Sequence, residues 1–249
     1  MGGSFLPLPL TTHFLSMVFI KDQLEKNLWQ IHEPWFSEHA NLYLILGSQK
    51  SLLIDTGLGL EHLPSWLKAR GVVPDIIVTT HSHFDHCGGL HQFPTGRVFL
   101  TPIQATNLQK PSLWGLNYLK SNQITQIFDQ TNSVKNYKPI SPKSWNTFNN
   151  IIDLGNYKIS VIEMSGHTDD SVVFFEEKNR WLFTGDILYR GKLFGNFPNT
   201  DITKWRKSLQ TITDLAPKII FPGHNESFSI LRLPTVVEDF ILQLERIKK

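Results

Sequence analysis

The chain has one cysteine, Cys87, in 249 residues. That excludes an intramolecular disulfide and fits a reducing compartment, so a cytoplasmic location is expected. No run approaches 18 consecutive apolar residues, which argues against a helical membrane span. Charge of neither sign dominates: 24 Lys and Arg stand against 22 Asp and Glu, a formal net charge of +2. With no sustained basic tract, neither a nucleic-acid nor a membrane partner is expected. Residues 1–20 lack a basic n-region and an A-x-A-like cleavage site, so no secretory signal is expected. Residues 1–16, rich in Pro and Thr, read as a flexible extension, and Val18-Phe19-Ile20 opens the ordered part.

What is present describes an ordinary globular chain, 41% hydrophobic and 18% charged. Its length suits one large domain, over residues 17–249, with a sizeable core. The most informative stretch is His81-Ser82-His83-Phe84-Asp85-His86. Four metal-binding side chains lie within six residues, the density a divalent cation such as Zn²⁺ requires. The stretch follows Ile76–Thr80, a buried strand by its apolar character, and precedes Cys87-Gly88-Gly89, where the chain can turn. Three more candidate ligands follow, each after an apolar run and beside glycine. His167 lies in Ser165-Gly166-His167, Asp186 in Thr184-Gly185-Asp186 and His224 in Pro222-Gly223-His224. Ligands at strand ends project into a crevice, not a core.

Apolar alternation predicts strands at Leu28–His32, Leu42–Leu46, Ser51–Ile54, Ile76–Thr80 and Arg97–Leu100. A helix is predicted at about Glu61–Arg70, from Leu63, Trp66 and Leu67, with Gly71 as its stop, and a short one at Gly89–Phe93. The second half repeats the strand pattern at Ile151–Leu154, Lys158–Glu163, Ser171–Glu176, Trp181–Thr184 and Ile219–Pro222. Helices are predicted at Ile202–Thr213 and Pro234–Ile247. Between the halves, residues 103–150 have poor periodicity and carry Trp114, Tyr118, Phe128, Tyr137, Trp145 and Phe148. They read as an insertion that either covers the crevice or is a surface elaboration with a small core of its own. Strand-rich halves with helices outside suggest two packed sheets flanked by helices.

H-x-H-x-D-H followed in order by G-H-T, T-G-D and P-G-H resembles the metallo-β-lactamase-fold hydrolases. With Asp55 in Leu53-Ile54-Asp55-Thr56-Gly57 as the first motif, the resemblance covers most of the chain. It implies an α/β fold, a four-layer αββα sandwich of two mixed sheets, with the site at one edge between the sheets. It also implies a ligand set. His81, His83 and His167 would bind one metal, Asp85, His86 and His224 a second, and Asp186 would bridge them. Two Zn²⁺ per chain are expected, with Fe or Mn accepted by the same shell. Two cations ~3.5–4 Å apart lower the pKa of a shared water to about 7 and hold it as hydroxide. Asp85 and Tyr189 are the candidate catalytic residues. Tyr189 lies three residues after Asp186, where lactonases of the superfamily carry a tyrosine that polarises the substrate carbonyl; the alternative is a residue lining the crevice.

Asp55 would orient a ligand histidine or, alternatively, bond the Thr56-Gly57 amides. Cys87 reads as a buried space-filler. His13, His32, His39, His62 and His91 lie outside the motifs, and Trp29, Trp35 and Phe36 either contact substrate or join the core. Aspartate at position 186, where the best-known zinc β-lactamases place cysteine, points toward dinuclear, glyoxalase II-like hydrolases. The runs Ala40–Ile45, Ile54–Leu60 and His81–Leu90 resemble the branch that includes an acyl-CoA thioesterase of animals. The implied function is hydrolysis of an activated carbonyl on a small molecule, a thioester before a lactone. A non-catalytic metal-binding protein is the remaining alternative. The tail Val236–Leu242 departs from the basic element with which glyoxalase II holds glutathione. The oligomeric state stays open.

Overall fold

The computed structural model describes residues 19–33, 40–109, 145–147 and 149–247. β1 (Ile20–Glu25), β2 (Leu28–His32), β3 (Leu42–Leu46) and β4 (Ser51–Ile54) form an antiparallel meander. α1 (Leu63–Lys68) carries the chain over to β5 (Ile76–Val78), which pairs parallel with β4. α2 (Phe84–Cys87) and α3 (Pro102–Leu108) follow. The second sheet repeats the scheme. β6 (Ile151–Asp153), β7 (Lys158–Glu163), β8 (Val172–Glu176) and β9 (Trp181–Gly185) run antiparallel. α4 (Ile202–Leu215) leads to β10 (Ile219–Pro222), parallel to β9. β11 (Phe228–Ser229) closes the edge, and α5 (Leu233–Ile247) ends the described chain.

The layering follows from strands that are apolar on both faces. Successive strand side chains point to opposite sides. Tyr43, Ile45, Leu52, Ile54 and Val78 therefore meet Val172, Phe174, Trp181, Phe183 and Phe221 between the sheets. Their neighbours Leu42, Leu44, Leu53 and Ile77 face outward onto Leu63, Trp66, Leu67 and Leu108 of α1 and α3. On the other side Val173, Phe175, Leu182 and Ile220 meet Trp205, Leu209, Phe240 and Leu244 of α4 and α5. Two mixed sheets between two helical layers result, the αββα sandwich expected. Among the described residues no helix is long and apolar enough to cross a membrane.

Several boundaries differ from expectation. β5 stops at Val78 because the next carbonyls are used elsewhere: Thr79 O accepts from Gln104 Nε2 (3.0 Å) and Thr80 O from Val172 N (2.8 Å). α1 starts late because His62 caps it, its Nδ1 accepting from Ser65 N (3.2 Å), with Pro64 in the first turn. The strand expected at Arg97–Leu100 is a 3₁₀ turn, Thr95–Arg97, then two single bridges, Val98 with Ile77 and Phe99 with Asn146. The helix expected at Gly89–Phe93 is a 3₁₀ turn, Leu90–Gln92. Residues 1–16, Trp35, Phe36, His13 and His39 lie outside the described residues, as do Trp114, Tyr118, Phe128, Tyr137 and Phe148 of the insertion. Its described ends join the outer core of the first sheet through Ala105, Leu108 and Trp145.

Candidate metal centre

All seven candidate ligands meet at one edge of the sandwich. The loop after β5 supplies His81 and His83, and α2 begins directly behind His83, so Asp85 and His86 fall on its single turn. His167 sits in the connection between β7 and β8. Gly166 there has φ +151°, and a Cβ would lie 2.3 Å from Trp205 Cα; only glycine lets α4 pack this close. α4 and the residues leading into it hold the loop in turn, Ser208 Oγ donating to Ser165 O (2.8 Å) and Thr200 Oγ1 to His167 O (3.0 Å). Asp186 follows β9 and His224 follows β10. Gly223 N donates to Gly185 O (2.8 Å), and a Cβ on Gly223 would stand 2.5 Å from Asp186 Oδ1. Asn41, directly before β3, fixes this turn, its N donating to Gly223 O (2.6 Å) and its Nδ2 to Asn225 O (2.7 Å).

The ligand atoms face one another. His83 Nδ1 lies 3.0 Å from His167 Nε2. His224 Nε2 lies 3.4 Å from His86 Nε2 and 3.3 Å from Asp85 Oδ2. Asp186 stands between the two groups: Oδ2 is 3.5 Å from His167 Nε2 and 3.3 Å from His224 Nε2, and Oδ1 is 3.3 Å from His86 Nε2. Three triads have their ligand atoms within 4.8 Å of one another: His81, His83 and His167; His81, His86 and Asp186; Asp85, His86 and His224. Bond lengths of ~2.0–2.1 Å in a tetrahedral site put neighbouring ligand atoms ~3.4 Å apart, close to the spacings found.

The tautomers also suit a cation, by inference from the hydrogen bonds. Asp55 Oδ2 can only accept, so His86 Nδ1, 2.8 Å away, carries a proton, and Nε2, which faces the site, is the nitrogen an ion would bind once it displaces the proton there. Thr80 Oγ1 donates to Asp55 Oδ2 (2.9 Å), so it accepts from His81 Nδ1 (3.1 Å). That leaves His81 Nε2 as an acceptor, buried and with no hydrogen-bond partner, as is Asp186 Oδ1. Buried polar atoms without partners are costly, and a cation would satisfy both. His167 Nδ1 is a third such atom, on the ring edge away from His83. Thr80 N also donates to Asp55 Oδ1 (2.7 Å). The aspartate thus binds the Thr80 amide, and Thr56 N instead donates to His86 O (2.7 Å).

Burial and charge divide the histidines. Burial, joined by the neighbouring imidazoles, holds His81 far below the usual histidine range, and burial brings His167 to about 3. His83 is lowered by burial as well. For His224 burial is outweighed by Asp186 and Asp85, which raise it to about 10. Asp85, Asp186 and Asp55 together raise His86 against its burial. Asp85 and Asp186 move down despite burial, through His86 and His224. The metal-free site therefore has three neutral imidazoles on one side and two imidazolium–carboxylate groups on the other.

Tyr189 is 2% exposed within the second outer core; its hydroxyl accepts from Phe194 N (2.8 Å) and its ring meets His224 edge-on at 5.7 Å. Cys87 is buried, donates to Ser82 O (3.4 Å) and has its thiol pushed up by burial, as a space-filler would. Sequence reasoning missed four contributors. Thr80 and Asn41 reveal themselves only through their bonds, although Thr80 directly precedes the motif. Trp205 packs on His167 at 5.2 Å, and Phe197 covers His83 and His167 at 4.6 and 5.5 Å. Nothing in the local pattern around Phe197 signals that position.

The family model described as the metallo-beta-lactamase superfamily matches residues 37–224. A chicken (Gallus gallus) protein named acyl-coenzyme A thioesterase MBLAC2 is 28% identical over 241 residues, covering 86% of this chain and 87% of that one. Among solved structures, a metallo-beta-lactamase from Pontibacter korlensis superposes with a TM-score of 0.67 at 18% identity, over 91% of this chain and 99% of that one. The protein TTHA1623, solved in a di-iron-bound form, gives 0.63 at 22% identity, over 81% and 95%. Together with the ordered motifs and the sandwich, the match over more than half its length makes this chain a member of the metallo-beta-lactamase superfamily.

Proposed function

We propose that the protein is a dinuclear metal-dependent hydrolase of acyl thioesters, zinc its metal and the cytoplasm its setting. The position of Asp186 carries the dinuclear reading: one carboxylate lies within 3.5 Å of histidines from both groups. The thioester is supported by the chicken relative's name together with near-full coverage of both chains. His81, His83 and His167 would hold one ion, Asp85, His86 and His224 the other, and Asp186 both. Bound there, the ions would lower the pKa of a water and polarise the carbonyl it attacks. The chain's own groups do the rest. Asp55 keeps the His86 proton on Nδ1, and Thr80 keeps that of His81 on Nδ1. Asp85, its carboxyl held down by His86 and His224, would stay ionised beside the attacking water. Phe197 and Trp205 cover the histidines, which strengthens the electrostatics of the site. A thiolate leaves without strong general-acid help, and no cationic residue is required at that point.

Thiol release from a panel of acyl-CoA and acyl-glutathione thioesters tests the reading, with His83→Ala as control. Release by the parent alone supports it. No release from any member moves lactones to first place. The lactonase alternative rests on Tyr189 and needs its hydroxyl at the substrate; an unchanged rate in Tyr189→Phe removes the residue from the chemistry.

The two histidine groups should load differently. His81, His83 and His167 are neutral at pH 7, so an ion bound there displaces no proton from them. His86 and His224 are raised and protonated, so an ion at Asp85, His86 and His224 displaces about two. Affinity of that second group then rises with pH up to about 10, where His224 loses its proton unaided. Calorimetry of metal-free protein in buffers of different ionisation heat should resolve one proton-neutral equivalent and one releasing. Equal release for both would contradict this division.

A further inference from the structure

We propose that the cavity between Arg190 and the start of α5 binds the phosphate groups of the coenzyme A half of the substrate, an inference that rests on the thioesterase reading. The cavity holds about 360 Å³ and is lined by Arg190, Leu231, Arg232, Thr235, Val236 and Asp239. Two guanidinium groups and a hydroxyl offer the planar forks and the extra donor that phosphate oxygens accept. Leu231, 87% exposed, and Val236 give the same cavity an apolar wall suited to the nucleoside.

The cations are available. Arg232 makes no side-chain hydrogen bond or ion pair among the described residues. Arg190 pairs with Glu226 at 3.2 Å, but their side chains are 40% and 86% exposed, and such pairs contribute little and exchange readily. Against these stand Glu226 and Asp239. Asp239 Oδ2 already accepts from Gln243 Nε2 (3.0 Å), and in the lining itself two guanidinium groups, Arg190 and Arg232, stand against this one carboxylate.

The position relative to the metal centre suits one ligand spanning both. Arg190 follows Asp186 by four residues, which places their Cα atoms no more than about 14 Å apart. The Arg190 carbonyl accepts from Asn225 Nδ2 (2.6 Å), the neighbour of His224. An extended pantetheine arm covers that reach. The same segment continues to Phe197 over His83, so one stretch of chain joins the cavity to the metal centre. The Val236–Leu242 run, acidic in sequence, hides this: the cations come from the turns before it.

The test compares an acyl-CoA with the matching acyl-pantetheine, which lacks the diphosphate and the ribose phosphate. Arg232→Glu should raise KM for the acyl-CoA about tenfold or more, the size of one charge-assisted contact, with kcat held. Its rate on acyl-pantetheine should equal the parent's, which also shows that the variant folds. An unchanged KM for acyl-CoA, or an equal change on both substrates, would overturn the subsite. If the parent turns over neither, the thioesterase reading fails and the subsite is judged on binding of adenosine 3′,5′-bisphosphate. Binding by the parent that Arg232→Glu loses would uphold a phosphate site; no binding by the parent would overturn it.

Discussion

Asp186→Ala is expected to abolish thioester hydrolysis, a loss of about a thousandfold or more, while the sheets stay packed. The side chain faces His86, His167 and His224, so its loss leaves the three cores intact. What goes is a carboxylate within reach of both histidine groups, and with it several kcal/mol of charge stabilisation. Metal content measured on purified protein should fall from close to two ions per chain to one or fewer, with the circular dichroism spectrum retained. His83→Ala should behave alike, through the other half of the chain. Full turnover by metal-free protein would refute the whole account.

Asp55→Asn is expected to cost 10–100-fold in metal affinity with activity falling in step, although the residue lies behind the ligands. Its amide oxygen can still accept from Thr80 N. Its NH₂ cannot accept from His86 Nδ1, so the His86 proton moves to Nε2, the nitrogen facing the site. The backbone tolerates the change: Asp55 has φ 64°, a conformation asparagine adopts as readily. Competition with a chelator of known affinity reads the loss. Parent-like affinity would show that Asp55 serves only to bind the Thr80 amide. Asp55→Ala should be worse, because it also leaves that buried amide without its acceptor.

The ligands were legible because metal chemistry forces unusual residues close together. The central strands were legible because a sheet covered on both faces needs continuous apolar runs; β3, β4 and β10 match expectation to the residue, as do the less buried β2 and β7, and the fully buried β8 and β9 to within one residue. β1 was not, since Ile20-Lys21-Asp22-Gln23-Leu24-Glu25 is an edge strand, mostly exposed, with no run to betray it. β11 is two residues long and depends on β10 for its pairing. α2 is a single turn whose side chains serve the site, so no periodicity marks it. Contacts such as Phe197 over His83, or the Gln104 amide across the Thr79 and Asp170 carbonyls (3.0 and 3.3 Å), join residues far apart in sequence. Local pattern has no access to them.

The ligands are divided between the two sheets. His81, His83, Asp85 and His86 follow β5, whereas His167, Asp186 and His224 belong to the second half. Two of the facing pairs, His83 with His167 and His86 with His224, are 84 and 138 residues apart. An ion held by either pair is therefore a cross-link closing a very long loop, and the entropy of closing a loop grows with its length. Each ion would draw ligands from both halves, so its binding energy becomes cohesion between the sheets. A chelator should thus act as a denaturant for this chain, lowering its melting temperature as well as its activity.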